Sequence, residues 1–565
     1  MDSRTAAHVL NQIGSLLQLA GAPRFNSRAY KRAATAVLAL GAEDILPLLE
    51  SGELKRTPGV GPATLAVIKE LIETGESSYL NKLNEGLPSG LLEIVRVPGI
   101  GVGKATLIHE ELGVNSLEEL EEAARDGRLA KLPRFGQKTA ERILSGIAFA
   151  RDTGKKTLYY RALMQAVVLQ ESVERHPDVT RAFVAGSVRR HNEIVGDISI
   201  MACCTADPVE VARSFANATA VKHVTDSGSR VCITYVDDTR LDLWCTTDDE
   251  SGSTLWRATG SSDHILQLTN YAGEKGIDLD QKTFSTEKEL FAALELQDIP
   301  PEMREGMGEI EAAATNSLPD LIVSEDIKGA LHCHTTWSDG SASIEHMARA
   351  AKDRGWKYIG ITDHSQYAFY AGGMKRDKVQ RQHAEIDEVN SRMKGFKVLK
   401  GIECDILPDG SLDYGDDTLD MFDYIVGSVH SQFKMDQSAM TARILKAMED
   451  PHLTILGHAT GRLLLSREGY SIDVDAIIEK AAENGTVLEL NCDPHRMDLD
   501  WRYIRKAKDK GVLIEIGPDA HSEVSLDNVE MGVGLARKAW LTKNDVLNAK
   551  PLREVLSIAK SKRNR

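Results

Sequence analysis

The chain has 565 residues, 42% hydrophobic and 27% charged, with a formal charge of −16. That length predicts about three to five compact units, and the near-average composition excludes collagenous, fibrous and wholly disordered classes. No window approaches the roughly 18–20 apolar residues of a membrane helix, and no charged segment followed by an apolar run opens the chain, so a soluble cytoplasmic protein without a membrane partner is expected. Seven scattered cysteines without a C-x-x-C pair predict reduced thiols, not disulfides or a thiolate zinc site. Residues 1–150 hold 17 basic and 18 acidic side chains. The acidic excess therefore lies downstream, which excludes a uniformly basic nucleic-acid binder but leaves room for local basic patches.

Residues 1–150 read as short helices joined by Gly-centred turns. Three turns share a pattern: Pro58-Gly59-Val60-Gly61-Pro62-Ala63-Thr64, Pro98-Gly99-Ile100-Gly101-Val102-Gly103-Lys104-Ala105, and Leu132-Pro133-Arg134-Phe135-Gly136-Gln137-Lys138-Thr139-Ala140. Glycine allows another backbone to approach closely, and the helix that follows directs free N–H groups and its positive end at an anion. Gly59, Gly61, Gly99, Gly101 and Gly136, with Lys104 and Lys138, are the candidate grips for a sugar-phosphate chain. Such a grip positions DNA without reading bases; the alternative is glycine serving only to end helices. The turns resemble helix-hairpin-helix motifs. Upstream, Arg24-Phe25-Asn26-Ser27-Arg28-Ala29-Tyr30-Lys31-Arg32 resembles the DNA-end-binding domain of family X DNA polymerases. The resemblance implies that Arg28, Lys31 and Arg32 hold a 5′-phosphate; an ordinary basic helix face is the other reading.

From Lys156 to about Gly306 the pattern changes to a helix over 157–173 and strands at 181–188, 197–204 and 240–245. Gly186-Ser187-Val188-Arg189-Arg190 followed by Gly196-Asp197-Ile198-Ser199-Ile200 resembles the palm of family X polymerases. Thr259-Gly260-Ser261 and Ile299-Pro300-Pro301-Glu302-Met303-Arg304-Glu305-Gly306 resemble thumb motifs of the bacterial branch. The resemblance implies nucleotide binding by Ser187, Arg190 and Gly260, and catalysis by Asp197 and Asp242 with Mg²⁺ or Mn²⁺. Nucleotidyl transfer needs two divalent ions about 3.5–4 Å apart, and carboxylates at i and i+2 of a strand can bridge both. Here the i+2 position is Ser199, so a full negative charge is missing. Arg257-Ala258 and His264-Ile265 also depart from the family pattern. Glu193 could lend a carboxylate, but no spacing requires it. Polymerisation is expected to be weak or lost.

Residues 327–565 alternate apolar strands with amphipathic helices. Strands are predicted at 329–334, 358–364, 398–405, 424–430, 453–458, 487–491 and 512–519, and helices at 344–354, 443–448, 474–484 and 501–510. Seven β/α units predict a closed or nearly closed parallel barrel, with an open sheet as the alternative. Polar residues cluster at the strand ends: His332, His334, Asp339, His364, Glu403, His430, His458, Asp519 and His521. Gathered on one barrel rim they would be costly unless they bind cations, which predicts a multinuclear metal site.

This region resembles the polymerase and histidinol phosphatase (PHP) domain of bacterial family X polymerases, through His332-Cys333-His334-Thr335-Thr336-Trp337-Ser338-Asp339-Gly340, Ile361-Thr362-Asp363-His364-Ser365, Gly401-Ile402-Glu403, Ser428-Val429-His430-Ser431 and Asp519-Ala520-His521-Ser522. The resemblance implies three ions: one on His332, His334, Glu403 and Asp519; one on Glu403, His430 and His458; one on Asp339, His364 and His521. Mixed nitrogen and oxygen ligation suits Mn²⁺ or Zn²⁺. Arg462 is the candidate for contacting a phosphate oxygen, against a structural salt bridge.

The whole chain is thus expected to be multidomain, α+β and α/β: residues 1–80 a helical DNA-end-binding domain, 81–153 a second helix-hairpin-helix domain, 154–247 a nucleotidyltransferase-like palm, 248–316 a thumb and 317–565 a distorted (β/α)7 PHP barrel. The resemblance implies a bacterial, nucleoid-associated repair enzyme acting on gapped or 3′-recessed DNA with a 5′-phosphate. It implies 3′–5′ exonuclease and abasic-site endonuclease activity, dNTPs as further partners, and a monomer. The alternatives are an active gap-filling polymerase, a small-molecule phosphatase and a non-catalytic DNA-end binder.

Overall fold

The computed structural model describes residues 3–563 apart from 21, 39, 41–44, 76, 86–90, 92–93, 96, 98–99, 134, 154–155, 218–220 and 236–238. The chain forms two compact units, Met1–Lys155 and Lys156–Arg565, and the boundaries expected at 247 and 316 fall inside the second.

The first unit is helical. The helix Ser3–Leu19 buries Ala6, Leu10, Ile13 and Leu17, one stripe at helical spacing, against Val37, Ile68 and Leu71. A second core holds Ile94, Ile108, Leu120 and Ile143. Gly59 takes φ +101°, a conformation that suits glycine, and Gly61 then starts the helix Pro62–Thr74, its N–H donating to Thr64 Oγ1 at 2.9 Å.

The second unit opens with a five-stranded mixed sheet in the order Val179–Val184, Ile198–Cys204, Arg240–Thr246, Arg230–Tyr235, Val221–Asp226. Ile198–Cys204 and Arg240–Thr246 run parallel, the other pairs antiparallel. The strand expected over 181–188 ends at Val184, because Gly186 (φ +61°) turns the chain into the short helix Gly186–Arg189. Helices Ser251–Thr259, Ser262–Glu274 and Glu287–Ala293 then close a small core around Trp256, Leu268 and Phe291.

Parallel strands Gly329–Ala330, Tyr358–Ile361, Lys397–Lys400, Glu403–Asp405, Ile425–Ser428, Leu453–Leu456, Val487–Asn491 and Ile514–Gly517 occupy seven barrel positions, the third broken between Lys400 and Glu403. Single parallel bridges, His364 to Glu403 and Cys333 to Ala520, close the ring. Most predicted strands extend past the observed ones, because the polar ends leave the ladder to enter the rim. The helices Ile344–Asp353, Gln437–Glu449, Val474–Asn484 and Trp501–Asp509 start where Ser343, Asp436, Asp473 and Asp500 accept a first-turn N–H. Tyr424 fills the barrel floor and donates to the Leu331 carbonyl at 2.6 Å. Only glycine fits beside its ring at 360, where a Cβ would lie 1.8 Å from the Tyr424 hydroxyl.

Candidate functional site

All nine predicted strand-end residues meet on the barrel rim. His332 and His334 leave the first strand, Asp339 follows in the loop, and His364, Glu403, His430 and His458 end strands two to five. Asp519 and His521 follow the seventh. Three sets bring ligand atoms within 4.8 Å of one another: His334, Asp339, His364 and His521; His332, His334 and Asp519; His364, Glu403 and His430. His458 joins through Nε2, 2.9 Å from Glu403 Oε1. Glu403 is the hub: its oxygens lie 3.5 Å from His332 Nε2, 3.7 Å from His334 Nε2, 2.8 Å from His364 Nδ1 and 3.2 Å from His430 Nε2. Asp339 and His521 form the open side, with side chains 37% and 38% exposed.

The residues fit divalent cations. His332 Nε2, both ring nitrogens of His334, His364 Nδ1, His430 Nδ1 and His458 Nδ1 are buried without a hydrogen-bond partner, an arrangement that costs free energy unless a cation takes the lone pairs. Burial opposes charge on Glu403 and Asp519, yet the imidazoles around them hold both carboxyls well below the usual range. Against the same burial, Glu489, Asp519 and Glu403 raise His332, and Glu403 and Asp339 raise His364. His430 and His521 are likewise raised, each to about 9. His334 goes the other way, to about 3, through burial and the neighbouring His521 and His364. The field that draws protons to these rings would equally draw dications, which displace protons from their ligands.

Three residues absent from the sequence expectation complete the site. Glu489 accepts from His332 Nδ1 at 2.5 Å, and its other oxygen takes the backbone N–H of His458 at 2.5 Å. Asp405 Oδ1 lies 3.3 Å from His430 Nδ1, and Arg496 Nε lies 3.4 Å from Asp519 Oδ2. A signal for Glu489 existed: a lone acid inside the apolar run of the sixth strand, the one strand without a predicted ligand.

Arg462 requires a correction. Its side chain is 17% exposed, and its donors go to Asp500 Oδ2 at 3.1 Å, the Arg496 carbonyl at 3.0 Å, the Met497 carbonyl and Glu193 Oε1 at 3.4 Å. Its main partners are therefore structural: Nε, Nη2 and one Nη1 N–H are taken up by Asp500, Glu193 and two backbone carbonyls. Glu193 is thereby paired with Arg462.

On the mixed sheet, Ser199 and Asp242 face each other in register. Asp242 is buried, and it accepts from Arg230 Nε at 2.8 Å, Arg230 Nη2 at 3.1 Å, Trp244 Nε1 at 2.9 Å and Cys232 Sγ at 3.2 Å. The guanidinium also lies over the Trp244 ring at 4.1 Å, and Asp197 adds its charge to the field around it. An internal cation thus sits on the carboxylate expected to bind a metal. Arg190, expected at a triphosphate, is committed instead to Glu305 at 2.8 Å and the Thr259 carbonyl at 2.5 Å. Lys538, from the barrel side, bonds Glu305 and the Arg190 carbonyl. Ser187 Oγ is buried without a partner, and Gly260 ends a helix hard against His264 and Ile265. His264 is structural: Trp256 donates to its Nε2, so Nδ1 carries the proton that Glu309 accepts.

In the helical unit Arg28 and Arg32 are exposed, and Lys31 donates to Gln18 at 3.2 Å. Gly59 packs on the Arg32 carbonyl, so the basic helix and the first Gly turn, with Gly61, line one groove. Gly101 and Gly136 precede the helices Val102–Leu112 and Gln137–Thr153. Lys104 lies 5.7 Å over Phe135, and Lys138 is exposed. Gly99 lies outside the described residues. No helix among the described residues is long and apolar enough to cross a membrane.

Comparison with known proteins follows the same divisions. Residues 330–493 match the family model of the PHP domain, 91–148 the SAM-like helix-hairpin-helix tandem and 254–305 the DNA polymerase beta thumb. The chain is 36% identical over 574 residues to the DNA polymerase/3′-5′ exonuclease PolX of Bacillus subtilis, covering 99% of this chain and 100% of that protein. Probable phosphatases of Thermoanaerobacter sp. (strain X514) and Clostridium acetobutylicum are 26% and 27% identical over 234 residues, 38% and 39% of this chain and 88% of each relative.

Proposed function

Because the chain belongs to the bacterial family X DNA polymerase/3′-5′ exonucleases of the PolX type, we propose that it works mainly as a metal-dependent 3′–5′ exonuclease and abasic-site endonuclease in base excision repair, with gap filling weak or lost. The observation that carries this reading is the meeting of nine N and O ligands on the rim, with six of their buried ring nitrogens lacking a hydrogen-bond partner. Three Mn²⁺ or Zn²⁺ ions, held as the resemblance implies, would supply Lewis acidity to a phosphodiester and acidify water. The chain's own residues do the rest. Glu403 draws five histidines into one cluster, Glu489 fixes the orientation of His332, and Arg496 adds positive charge beside Asp519 where a phosphate would approach. Arg28, Lys31, Arg32, Lys104, Lys138 and the Gly turns would hold the DNA backbone at gaps or recessed ends.

Arg230 on Asp242, together with Ser199, supports the second half of the reading, because the two acids left are short of the charge two dications need. The test is a gapped primer-template with Mn²⁺, with and without dNTPs. Degradation of the primer is expected; primer extension at ordinary polymerase rates would overturn the weak-polymerase half, and an intact primer the nuclease half. Asp339→Ala should lower cleavage by about a hundredfold or more and leave DNA binding in place.

The relatives described as phosphatases favour a second reading, monoester hydrolysis on the same rim. Turnover of a small phosphate monoester exceeding that of DNA would select it.

A further inference from the structure

The segment that leaves the second barrel strand carries three aromatic rings into solvent. Tyr367, Phe369 and Tyr370 are 42%, 84% and 65% exposed, and Phe369 is the most exposed large apolar side chain among the described residues. Exposed rings gathered in one place mark a contact surface, since packing would have buried them. The segment is pinned at both ends. Met374 N–H donates to the His364 carbonyl at 2.9 Å, Tyr367 N–H to Asp413 at 2.8 Å and Gln366 Nε2 to the Asp413 carbonyl at 2.6 Å. Gly372 (φ +74°) passes against Ser338, the neighbour of Asp339, and Lys378 holds its carbonyl at 2.9 Å.

Phe369 and Tyr370 meet edge to face with centroids 6.0 Å apart. The Tyr370 hydroxyl lies within the field of the rim: burial, then Asp405, Glu403 and Asp339, push it up to about 12. Through Gly372 against Ser338 and Met374 bonded to the His364 carbonyl, the segment that carries the rings runs beside the rim residues Asp339 and His364, while most of the ring surface stays free.

We propose that Phe369 and Tyr370 form a stacking shelf for the terminal nucleobase of a DNA strand whose last phosphodiester lies on the rim. The inference rests on the nuclease reading above. Metal ions and Arg496 can hold a phosphate, but every phosphate along a strand looks alike to them, so a terminal cut needs a further contact with the nucleoside beyond the scissile bond. An aromatic face provides it for any base, because each has a π surface. A base paired and stacked in a duplex has its faces covered, so the shelf selects an unpaired or frayed 3′ end.

The experiment compares wild type with Phe369→Ala/Tyr370→Ala, loaded with Mn²⁺, on single strands ending in a 3′ thymidine or in a 3′ abasic residue. Stacking on aromatic residues predicts a KM about tenfold lower for the thymidine-ended strand in wild type. The double variant should lose that difference by raising KM on the thymidine end alone, with metal content unchanged, and Phe369→Trp should keep it. A 2-aminopurine at the 3′ end should be quenched by wild type and not by the double variant. A double variant that keeps the wild-type KM ratio, or a wild type that cuts both ends with equal KM, overturns this inference and leaves the nuclease reading standing. A wild type that cleaves no DNA removes the nuclease reading itself, and the shelf falls with it.

Discussion

The guanidinium of Arg230 lies on the carboxylate of Asp242, Nε 2.8 Å from Oδ1 and Nη2 3.1 Å from Oδ2. A residue twelve places before Asp242 thus supplies, as a fixed part of the fold, positive charge where a divalent ion would bring it. The Trp244 ring beneath it and the Trp244 N–H on Asp242 hold the pair in place.

Restoring the missing acid alone should therefore change little. Ser199→Asp is expected to raise primer extension less than about tenfold, whereas Ser199→Asp with Arg230→Ser should raise it about a hundredfold, since removing a charge-assisted bond worth about 1.5–3 kcal/mol frees Asp242 for metal. Extension assays of wild type, both single variants and the double variant decide it. A full gain from Ser199→Asp by itself would show that Arg230 yields readily to metal.

Glu489 should govern metal affinity without touching an ion. Glu489→Gln keeps the volume but loses the charge that orients His332, and loss of a partner that orients a metal-binding histidine typically costs about 10–100-fold in affinity. Titration calorimetry with Mn²⁺ and metal analysis after dialysis read this directly. Unchanged affinity and metal content would assign the residue to packing alone.

Acid should weaken the helical layer beside the mixed sheet. Glu287 lies between Arg189 and Arg304; burial opposes its charge, but the two guanidinia bring its carboxyl down to about 2. A depressed carboxyl stabilises the fold fully above its ordinary value near 4.5 and loses that contribution as pH falls toward 2. The gap spans about 2.5 pH units, or on the order of 3 kcal/mol. Denaturant unfolding at pH 7 and pH 3 should show Glu287→Gln less stable than wild type at the higher pH and the difference shrinking at the lower. A constant difference would refute the linkage.

The barrel floor offers a packing test. Gly360→Ala would drive a methyl into the Tyr424 hydroxyl and should cost about 1–3 kcal/mol. Adding Tyr424→Phe removes the closest atom and should recover part of that loss, so the two changes should be non-additive in a double-mutant cycle. Strict additivity of their unfolding free energies would place the strain elsewhere.

Much of the rim was legible from local order. An apolar run ending in His or an acid predicts a strand delivering a ligand, and the order of runs and helices predicts the parallel barrel. The strand ends were less legible: residues 331–334 and 362–364 lie beyond the ladder because they bend into the rim. The strand expected over 181–188 overruns into the helix at 186–189, since the apolar run Ala182–Ala185 leads into it and only the left-handed Gly186 breaks the strand.

The sequence by itself determined which side chains could ligate and in what order they come, because those properties sit in short segments whose strand and helix periods are set by neighbouring residues. Only the tertiary structure decided what each charge faces. Glu489 stands 157 residues from the His332 it orients, and Arg462 269 residues from the Glu193 that occupies it. Hydrogen bonds and ion pairs act over about 3–4 Å of space, whatever the distance along the chain, so which charge is neutralised by protein and which is left for a metal emerges only once the chain has folded.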